Sequence, residues 1–90
     1  MSKKYLLTYK TKPDDLPRAR LHFATHRQRL DMFREQGTLL MVGTIGSPPT
    51  SALGIFTTRE AAEAFMKDDP FILHGVVESP TIQEWDEIYT

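Results

Sequence analysis

The stretch PRARLHFATHRQRLDMFREQ, residues 17–36, decides the fold, because it predicts one long helix against which the other elements pack. At about 3.6 residues per turn, its apolar stripe contains a histidine where an aliphatic residue is expected. The stripe consists of Ala19, Phe23, His26, Leu30 and Phe33. Because a buried imidazole loses its hydrogen bonds to water, His26 needs a partner elsewhere in the chain. That partner makes either a structural hydrogen bond or an acid–base pair, and the helix alone leaves both open.

Four predicted strands and a second predicted helix surround the long helix. Runs of apolar and β-branched residues, bounded by turn-forming residues, mark the strands. They occupy residues 4–10, 38–43, 52–56 and 76–85. The second helix covers residues 59–67, a turn follows at residues 71–75, and Pro80 confines the last strand to a sheet edge or a bulge. The order β-α-β-β-α-β predicts an α+β fold of the ferredoxin-like type, with a four-stranded antiparallel sheet and two helices on one face.

Proline, glycine and threonine predict where the helices begin and end. Pro17 suits the first turn of the long helix, because its missing N–H has no intrahelical partner there. Gly37 is able to take the left-handed conformation that ends a helix. Thr57 or Thr58 caps the second helix, and Thr57 has the capping-box spacing to Glu60.

The composition argues against several classes of function. Ninety residues, 40% of them hydrophobic, predict a single domain over residues 1–90. The net charge of -1 gives no overall attraction to nucleic acid or to an anionic membrane. With no cysteine and no long apolar run, we expect no disulfide, no thiolate metal site, no signal peptide and no membrane span. The expected location is the cytoplasm.

The first three predicted strands carry apolar side chains on both alternating faces. Two helices cover only one face of a sheet, so the apolar residues of the other face would contact water. We expect a second copy of the chain to cover that face, which makes a homodimer the predicted unit.

Four motifs in the chain resemble those of the YciI-like (YCII-related) proteins. They are THRQRL around His26, LLMVG ending at Gly43, EAAEAF at residues 60–65 and DPF at residues 69–71. The resemblance spans nearly the whole chain and implies a small dimeric α+β barrel of ferredoxin-like topology. It also implies that His26 and Asp69 form an active-site dyad.

The residues themselves support a pairing of His26 with Asp69. Asp69 precedes Pro70, which ends the second helix and holds the acid in an extended conformation. A hydrogen bond from Asp69 to the imidazole would fix its tautomer, leave the outer ring nitrogen available and stabilise the imidazolium. The alternative is that Asp69 only terminates a helix and that His26 is purely structural.

Other residues are predicted to line a substrate pocket beside the dyad. They are Tyr5, Tyr9, His22, Gly43, Ser47, Pro70 and Phe71. Core packing is the simpler interpretation of each aromatic residue, and turn formation alone explains the glycine and the serine equally well. His22 and His26 have the spacing of two zinc ligands on a helix, but no third ligand is evident, so no metal is predicted.

The arginines of the long helix flank its apolar stripe instead of forming one basic patch. Nucleic-acid binding is therefore not expected. At most one of them, Arg27 or Arg29, is expected to steer an anionic substrate.

The predicted function is that of a small homodimeric enzyme that uses His26 and Asp69 for general acid–base catalysis without a cofactor. Its substrate is expected to be a small ring-shaped or enolisable molecule, in an elimination, an isomerisation or a hydrolysis. Two alternatives stay open. One is a non-catalytic module that binds a ligand or a partner, and the other is a cofactor-independent oxygenase, which some α+β barrels of this shape resemble.

Overall fold

The helices and strands follow the predicted order. The computed structural model describes residues 3–89, apart from the side chain of Pro13. The strands are β1 (Lys3–Thr11), β2 (Leu39–Ile45), β3 (Ser51–Phe56) and β4 (Val77–Asp86). The helices are α1 (Leu16–Glu35), α2 (Arg59–Lys67) and the short α3 (Pro70–Leu73), and a 3-10 turn at Pro13–Asp15 precedes α1.

The four strands form one antiparallel sheet in the order β2-β3-β1-β4. This is the ferredoxin-like arrangement, so the predicted α+β class and topology are confirmed. β4 lies at an edge, as Pro80 predicted. Its register against β1 shifts between Thr8 and Lys10, and Ser79 has a φ of 51° at this bulge.

β2 ends two residues later than the sequence predicted, because residues 44 and 45 pair with β3. The prediction ended this strand at Gly43, because two prolines in the following segment exclude regular ladder pairing. The prolines are residues 48 and 49, so residues 44 and 45 are still able to pair with β3. The loop between β2 and β3 is therefore confined to residues 46–50, which include both prolines of this segment.

Local signals place the helix ends well. Pro17 lies in the first turn of α1, and Gly37, just beyond its C-terminus, has a φ of 80°. The cap of α2 is Thr58, whose side chain accepts a hydrogen bond from the Ala61 N–H at 3.1 Å. The capping box expected from Thr57 does not form, because the helix begins one residue later than that spacing requires.

The core lies between the helices and one face of the sheet, which we call the inner face. This face includes Tyr5, Leu7 and Tyr9 of β1, Leu39, Val42 and Thr44 of β2, Ala52, Gly54 and Phe56 of β3, and Ile82 and Glu84 of β4. Three aromatic rings meet in the core, because Phe33 of α1 and Phe56 both contact Phe65 of α2 at centroid distances of 5.2 and 5.6 Å.

The opposite face of the sheet, here called the outer face, is largely apolar and lies outside the core cluster. It includes Leu6, Thr8, Met41, Gly43, Ile45, Leu53, Ile55, Thr81, Gln83 and Trp85. Met41 is 66% exposed, Ile45 53% and Trp85 41%. The prediction that the first strands carry apolar side chains on both faces is therefore confirmed.

α1 packs against the core through only part of its predicted stripe. Phe33 is buried, and Ala19 and Leu30 are partly buried against the core, whereas Phe23 is 53% exposed. Phe23 lines a cavity. Within residues 3–89, no helix is long and apolar enough to cross a bilayer.

Candidate active site

Asp69 lies at the junction of α2 and α3, where the local sequence explains its conformation. Its backbone is extended, with φ of -69° and ψ of 123°, because the residue before a proline is excluded from the helical region. Pro70 then occupies the first turn of α3, where its missing N–H needs no partner. The Asp69 carboxylate caps α3 by accepting a hydrogen bond from the Phe71 N–H at 3.1 Å.

His26 and Asp69, the two residues predicted to form a dyad, are in contact. Nδ1 of His26 lies 2.7 Å from Oδ1 of Asp69, across 43 residues of sequence. The Asp69 side chain is fully buried, with 0% exposure, whereas the His26 side chain is 12% exposed. The imidazole therefore bridges a buried carboxylate and an accessible surface.

Tyr9 of β1 is a third member of this cluster. Its hydroxyl donates to Oδ2 of Asp69 at 2.7 Å, so both oxygens of the carboxylate accept hydrogen bonds. Burial and the neighbouring carboxylate raise the pKa of the Tyr9 phenol well above its ordinary value, because both disfavour a second negative charge. The sequence predicted Tyr9 only as an aromatic wall, since no pattern indicated the partner of its hydroxyl.

Two phenylalanine rings hold the plane of the His26 imidazole. Phe71 stacks on it with ring centroids 4.0 Å apart and planes inclined by 9°. Phe65 contacts it edge-on at 5.9 Å. Nδ1 of His26 faces Asp69, and His26 lines a cavity. No buried polar side-chain atom of residues 3–89 lacks a hydrogen-bond partner, so Nε2 is not a buried atom without a partner. Nε2 is therefore the ring nitrogen that remains accessible.

A cavity of about 790 Å³ lies between α1 and the inner face. His26, Tyr9 and Phe71 line it near the dyad, and Gly43 lines it on β2. Most of the other lining residues are aliphatic or aromatic. The volume of the cavity falls in the usual range of small-molecule sites, roughly 300–1,000 Å³. The charged lining residues belong to α1 and the segment before it, and they are Lys12, Asp15, Arg27, Asp31 and Arg34.

Four of the predicted lining residues lie outside the cavity wall, and three of them are Tyr5, Ser47 and Pro70. Tyr5 is on the inner face but outside the cavity wall. The guanidinium carbon of Arg59, at the start of α2, lies 5.5 Å from the centroid of the Tyr5 ring, and the Tyr5 hydroxyl donates to Glu84. Ser47 is exposed in the loop after β2, and Pro70 is buried in the turn behind Asp69. Of the predicted lining residues, the cavity wall therefore contains Tyr9, Gly43 and Phe71.

His22 is also outside the cavity, although it lies one turn before His26 on α1. Its ring stacks on that of His74, which follows α3, with centroids 3.9 Å apart. Arg18 donates to the His74 carbonyl oxygen, so these side chains join α1 to the end of α3. In the described part of the chain, no group of three or more His, Asp or Glu side chains is placed to hold a metal ion.

Arg29 holds α1 to the end of α2, directly before Asp69. Its guanidinium donates to the carbonyl oxygens of Phe65 and Ala64, at 2.6 and 3.1 Å, and lies over the Phe65 ring. The last carbonyls of a helix lack intrahelical partners, which makes them good acceptors. Both terminal nitrogens of Arg29 are thus engaged in positioning α2, and the interpretation that Arg29 steers a substrate is not supported.

Comparisons with known proteins give a family and a fold. The model of the YCII-related domain matches residues 3–86. Among solved structures, the chain is similar to 5-chloro-2-hydroxyhydroquinone dehydrochlorinase from Burkholderia phenoliruptrix AC1100, in complex with 2,5-dihydroxybenzoquinone. The two chains are 17% identical, the TM-score is 0.74, and the match covers 92% of this chain and 93% of that chain. A candidate antibiotic biosynthesis monooxygenase from Deinococcus radiodurans gives 16% identity, a TM-score of 0.48, and coverage of 98% and 94%. No curated protein matches the sequence significantly.

Proposed function

Because this chain belongs to the YCII-related domain family, we propose that it is a small-molecule enzyme in which His26 is the general acid–base and Asp69 its orienting partner. The observation that carries the proposal is the 2.7 Å contact between His26 Nδ1 and Asp69 Oδ1 beside a cavity. A carboxylate accepting from Nδ1–H leaves the lone pair on Nε2, which is the nitrogen available to a bound molecule.

The proposed proton transfer takes place at His26 Nε2. This nitrogen removes a proton from a C–H or O–H group of the substrate, and the buried Asp69 carboxylate stabilises the resulting imidazolium through the Nδ1–H bond. Nε2 then returns the proton to a leaving group or to a neighbouring atom of the substrate. This cycle serves an elimination or an isomerisation, because no net electron transfer is required.

The proposed substrate is a small ring-shaped or enolisable molecule. The wall beside the imidazole is built from Phe71 and from aliphatic side chains, so it suits an apolar, planar body better than a highly charged one. The similar dehydrochlorinase structure contains 2,5-dihydroxybenzoquinone, and we choose this compound as the first binding probe.

Turnover assays with dyad variants test the proposal. Purified protein is incubated with a panel of small phenols, hydroxyquinones, lactones and enolisable acids, and consumption of each is followed. We expect His26→Ala to abolish turnover of any active compound and Asp69→Asn to lower kcat by about 10³-fold or more. Asp68→Asn, an exposed neighbour, is the matched control and should retain activity.

Three outcomes of this assay would redirect the proposal. Turnover that is equal in wild type and both dyad variants would remove His26 and Asp69 from the chemistry. Binding of 2,5-dihydroxybenzoquinone without turnover of any compound would favour a ligand-binding module, which the apolar cavity also suits. Consumption of dioxygen with the substrate would indicate a cofactor-independent oxygenase.

The proposed functional unit is a homodimer that forms an α+β barrel from the outer faces of two sheets. Support comes from the exposed apolar residues of this face, among them Met41, Ile45 and Trp85. Contiguous apolar patches of this kind are uncommon on monomers and usually mark an interface. When two identical outer faces pack together, the apolar residues of both copies are removed from water.

A further inference from the structure

The Asp69 carboxylate receives hydrogen bonds from three different elements while it is fully buried. Nδ1 of His26 on α1 and the Phe71 N–H of α3 both approach Oδ1, at 2.7 and 3.1 Å. The Tyr9 hydroxyl on β1 approaches Oδ2 at 2.7 Å. Two of these partners are the predicted dyad partner and the amide of the following turn, whereas Tyr9 comes from the sheet.

The positions of the protons in this cluster follow from its donors and acceptors. The Phe71 amide can only donate, so it occupies part of Oδ1 in any protonation state. The Tyr9 hydroxyl donates to Oδ2, so this oxygen is also an acceptor. With both oxygens accepting, the carboxylate can take up the Nδ1–H of His26 as well.

We propose that Tyr9 is a positioning residue of the site, whose hydroxyl holds the Asp69 carboxylate in the orientation in which His26 carries its proton on Nδ1. This inference rests on the proposed function of the dyad. Without the Tyr9 hydroxyl, Oδ2 would be a buried acceptor with no donor. The carboxylate would then be free to rotate, and rotation weakens its bond to the imidazole.

The location of Tyr9 suits this role. Tyr9 is 5% exposed and lies on β1, opposite Ala52 of β3 and beside the bulge in β4. A side chain anchored in the middle of a sheet moves less than one on a loop, so it fixes Oδ2 relative to α1 and α3. Because the Tyr9 hydroxyl donates its proton to Asp69, this proton is not available to a molecule in the cavity.

Nuclear magnetic resonance of the ¹⁵N-labelled protein tests the inference without any substrate. At about pH 8.5, two units above the ordinary range of histidine, long-range ¹H–¹⁵N correlations report which ring nitrogen carries the proton. For wild type we expect His26 to be protonated at Nδ1, and in Tyr9→Phe we expect both ring nitrogens to shift towards a mixture of tautomers. Tyr89→Phe, at a 91% exposed tyrosine, is the control and should leave them unchanged.

A Tyr9→Phe protein that keeps the wild-type amide spectrum and the wild-type His26 nitrogen shifts would overturn the inference. If Tyr9→Phe does not fold, the exchange rate of the Tyr9 hydroxyl proton in the wild-type protein tests the inference instead. A Tyr9 hydroxyl proton that exchanges slowly enough to be observed supports the inference, because it is buried and bonded to Asp69. A proton that exchanges as fast as that of Tyr89 refutes it.

Kinetics give a second measurement once an active compound is found. Loss of a hydrogen bond to a charged group should lower kcat on the order of 10-fold in Tyr9→Phe, with little change in KM. If no compound turns over, the proposed function fails, whereas the tautomer measurement still decides the role of Tyr9. The two proposals therefore fail in different experiments.

Discussion

At Asp69, one buried carboxylate caps α3 and accepts hydrogen bonds from His26 and Tyr9. An Asp-Pro pair after a helix is a common way to begin a new turn, and this local use was the alternative to a dyad. The structure combines both uses in one side chain, because Oδ1 accepts from the Phe71 N–H and faces His26 Nδ1, while Oδ2 accepts from Tyr9. Capping and orientation of an imidazole are therefore not competing explanations of this residue.

Removing the Asp69 carboxylate should destabilise the fold as well as the site. In Asp69→Ala, the Tyr9 hydroxyl and the Phe71 amide lose their acceptor inside the protein. We expect the free energy of unfolding in urea to fall by roughly 2–4 kcal/mol. Asp68→Ala, at an exposed position, should change it by less than about 0.5 kcal/mol. Equal effects of the two substitutions would contradict the buried network.

Tyr9 should make stability fall in alkaline solution. Its pKa is raised in the folded protein above the ordinary value of 10.0, because of burial and the Asp69 carboxylate. Below pH 10 the phenol is protonated in both states, so its full contribution is present. Above pH 10 the unfolded chain loses this proton and the folded chain keeps it, so the free energy of unfolding falls, by at most about 1.4 kcal/mol per pH unit.

The measurement compares wild type with Tyr9→Phe in urea unfolding at about pH 9 and about pH 11, on either side of the ordinary phenol range. The stability advantage of wild type should shrink at the higher pH, because the variant lacks this titrating group. An advantage that is the same at both values would show that the pKa of Tyr9 is not raised by folding. Tyr5 and Tyr89 are present in both proteins and cancel.

At the scale of elements, the distance between His26 and Asp69 depends on how α1 is joined to α2. Arg29 lies on α1 three residues after His26 and binds two carbonyls in the last turn of α2. Asp69 lies two residues after the end of that turn. The guanidinium therefore sets the separation of the two elements that carry the dyad.

Arg29→Lys should loosen the end of α2, because an ammonium keeps the charge but has no planar fork to bridge two carbonyls. We expect a loss of about 1 kcal/mol in the free energy of unfolding, and faster hydrogen exchange at the backbone amides of residues 66–69. Arg20→Lys, on an exposed part of α1, is the matched control. The same exchange rates in both variants would argue against this tether.

α1 also shows that an apolar stripe does not predict which of its residues pack against the sheet. The periodicity predicted which side of the helix faces the sheet, and Phe33 is indeed buried there. It did not indicate that Phe23 would face a cavity and remain 53% exposed. A helix that stands off the sheet and one that packs on it have the same pattern of apolar residues, so only packing distinguishes them.

For the whole molecule, the exposed outer face predicts self-association. We expect wild type to sediment as a dimer at micromolar concentration and Met41→Asp to sediment as a monomer, because a charge in an apolar interface is costly. Leu21→Asp is the control, since Leu21 is 79% exposed on α1 and away from the sheet.

The single tryptophan, Trp85, gives a second measurement of association. It is 41% exposed on the outer face. When dilution dissociates the dimer, this face becomes exposed to water, and the fluorescence of Trp85 should shift to longer wavelength. A wild-type protein that remains monomeric at micromolar concentration would refute the proposed dimer and leave the outer face unexplained.

The sequence by itself determined the order of strands and helices, most of their ends and the ferredoxin-like topology, because these depend on local periodicity and on the positions of proline, glycine and threonine. It also singled out His26 and Asp69, one as a polar residue in an apolar stripe and the other through a family motif. Only the tertiary structure decided that Tyr9 joins them, that Arg29 secures α2, and that Tyr5, His22 and Ser47 lie elsewhere. The Tyr9–Asp69 contact spans 60 residues between a strand and a turn, and no local pattern encodes a contact at that separation.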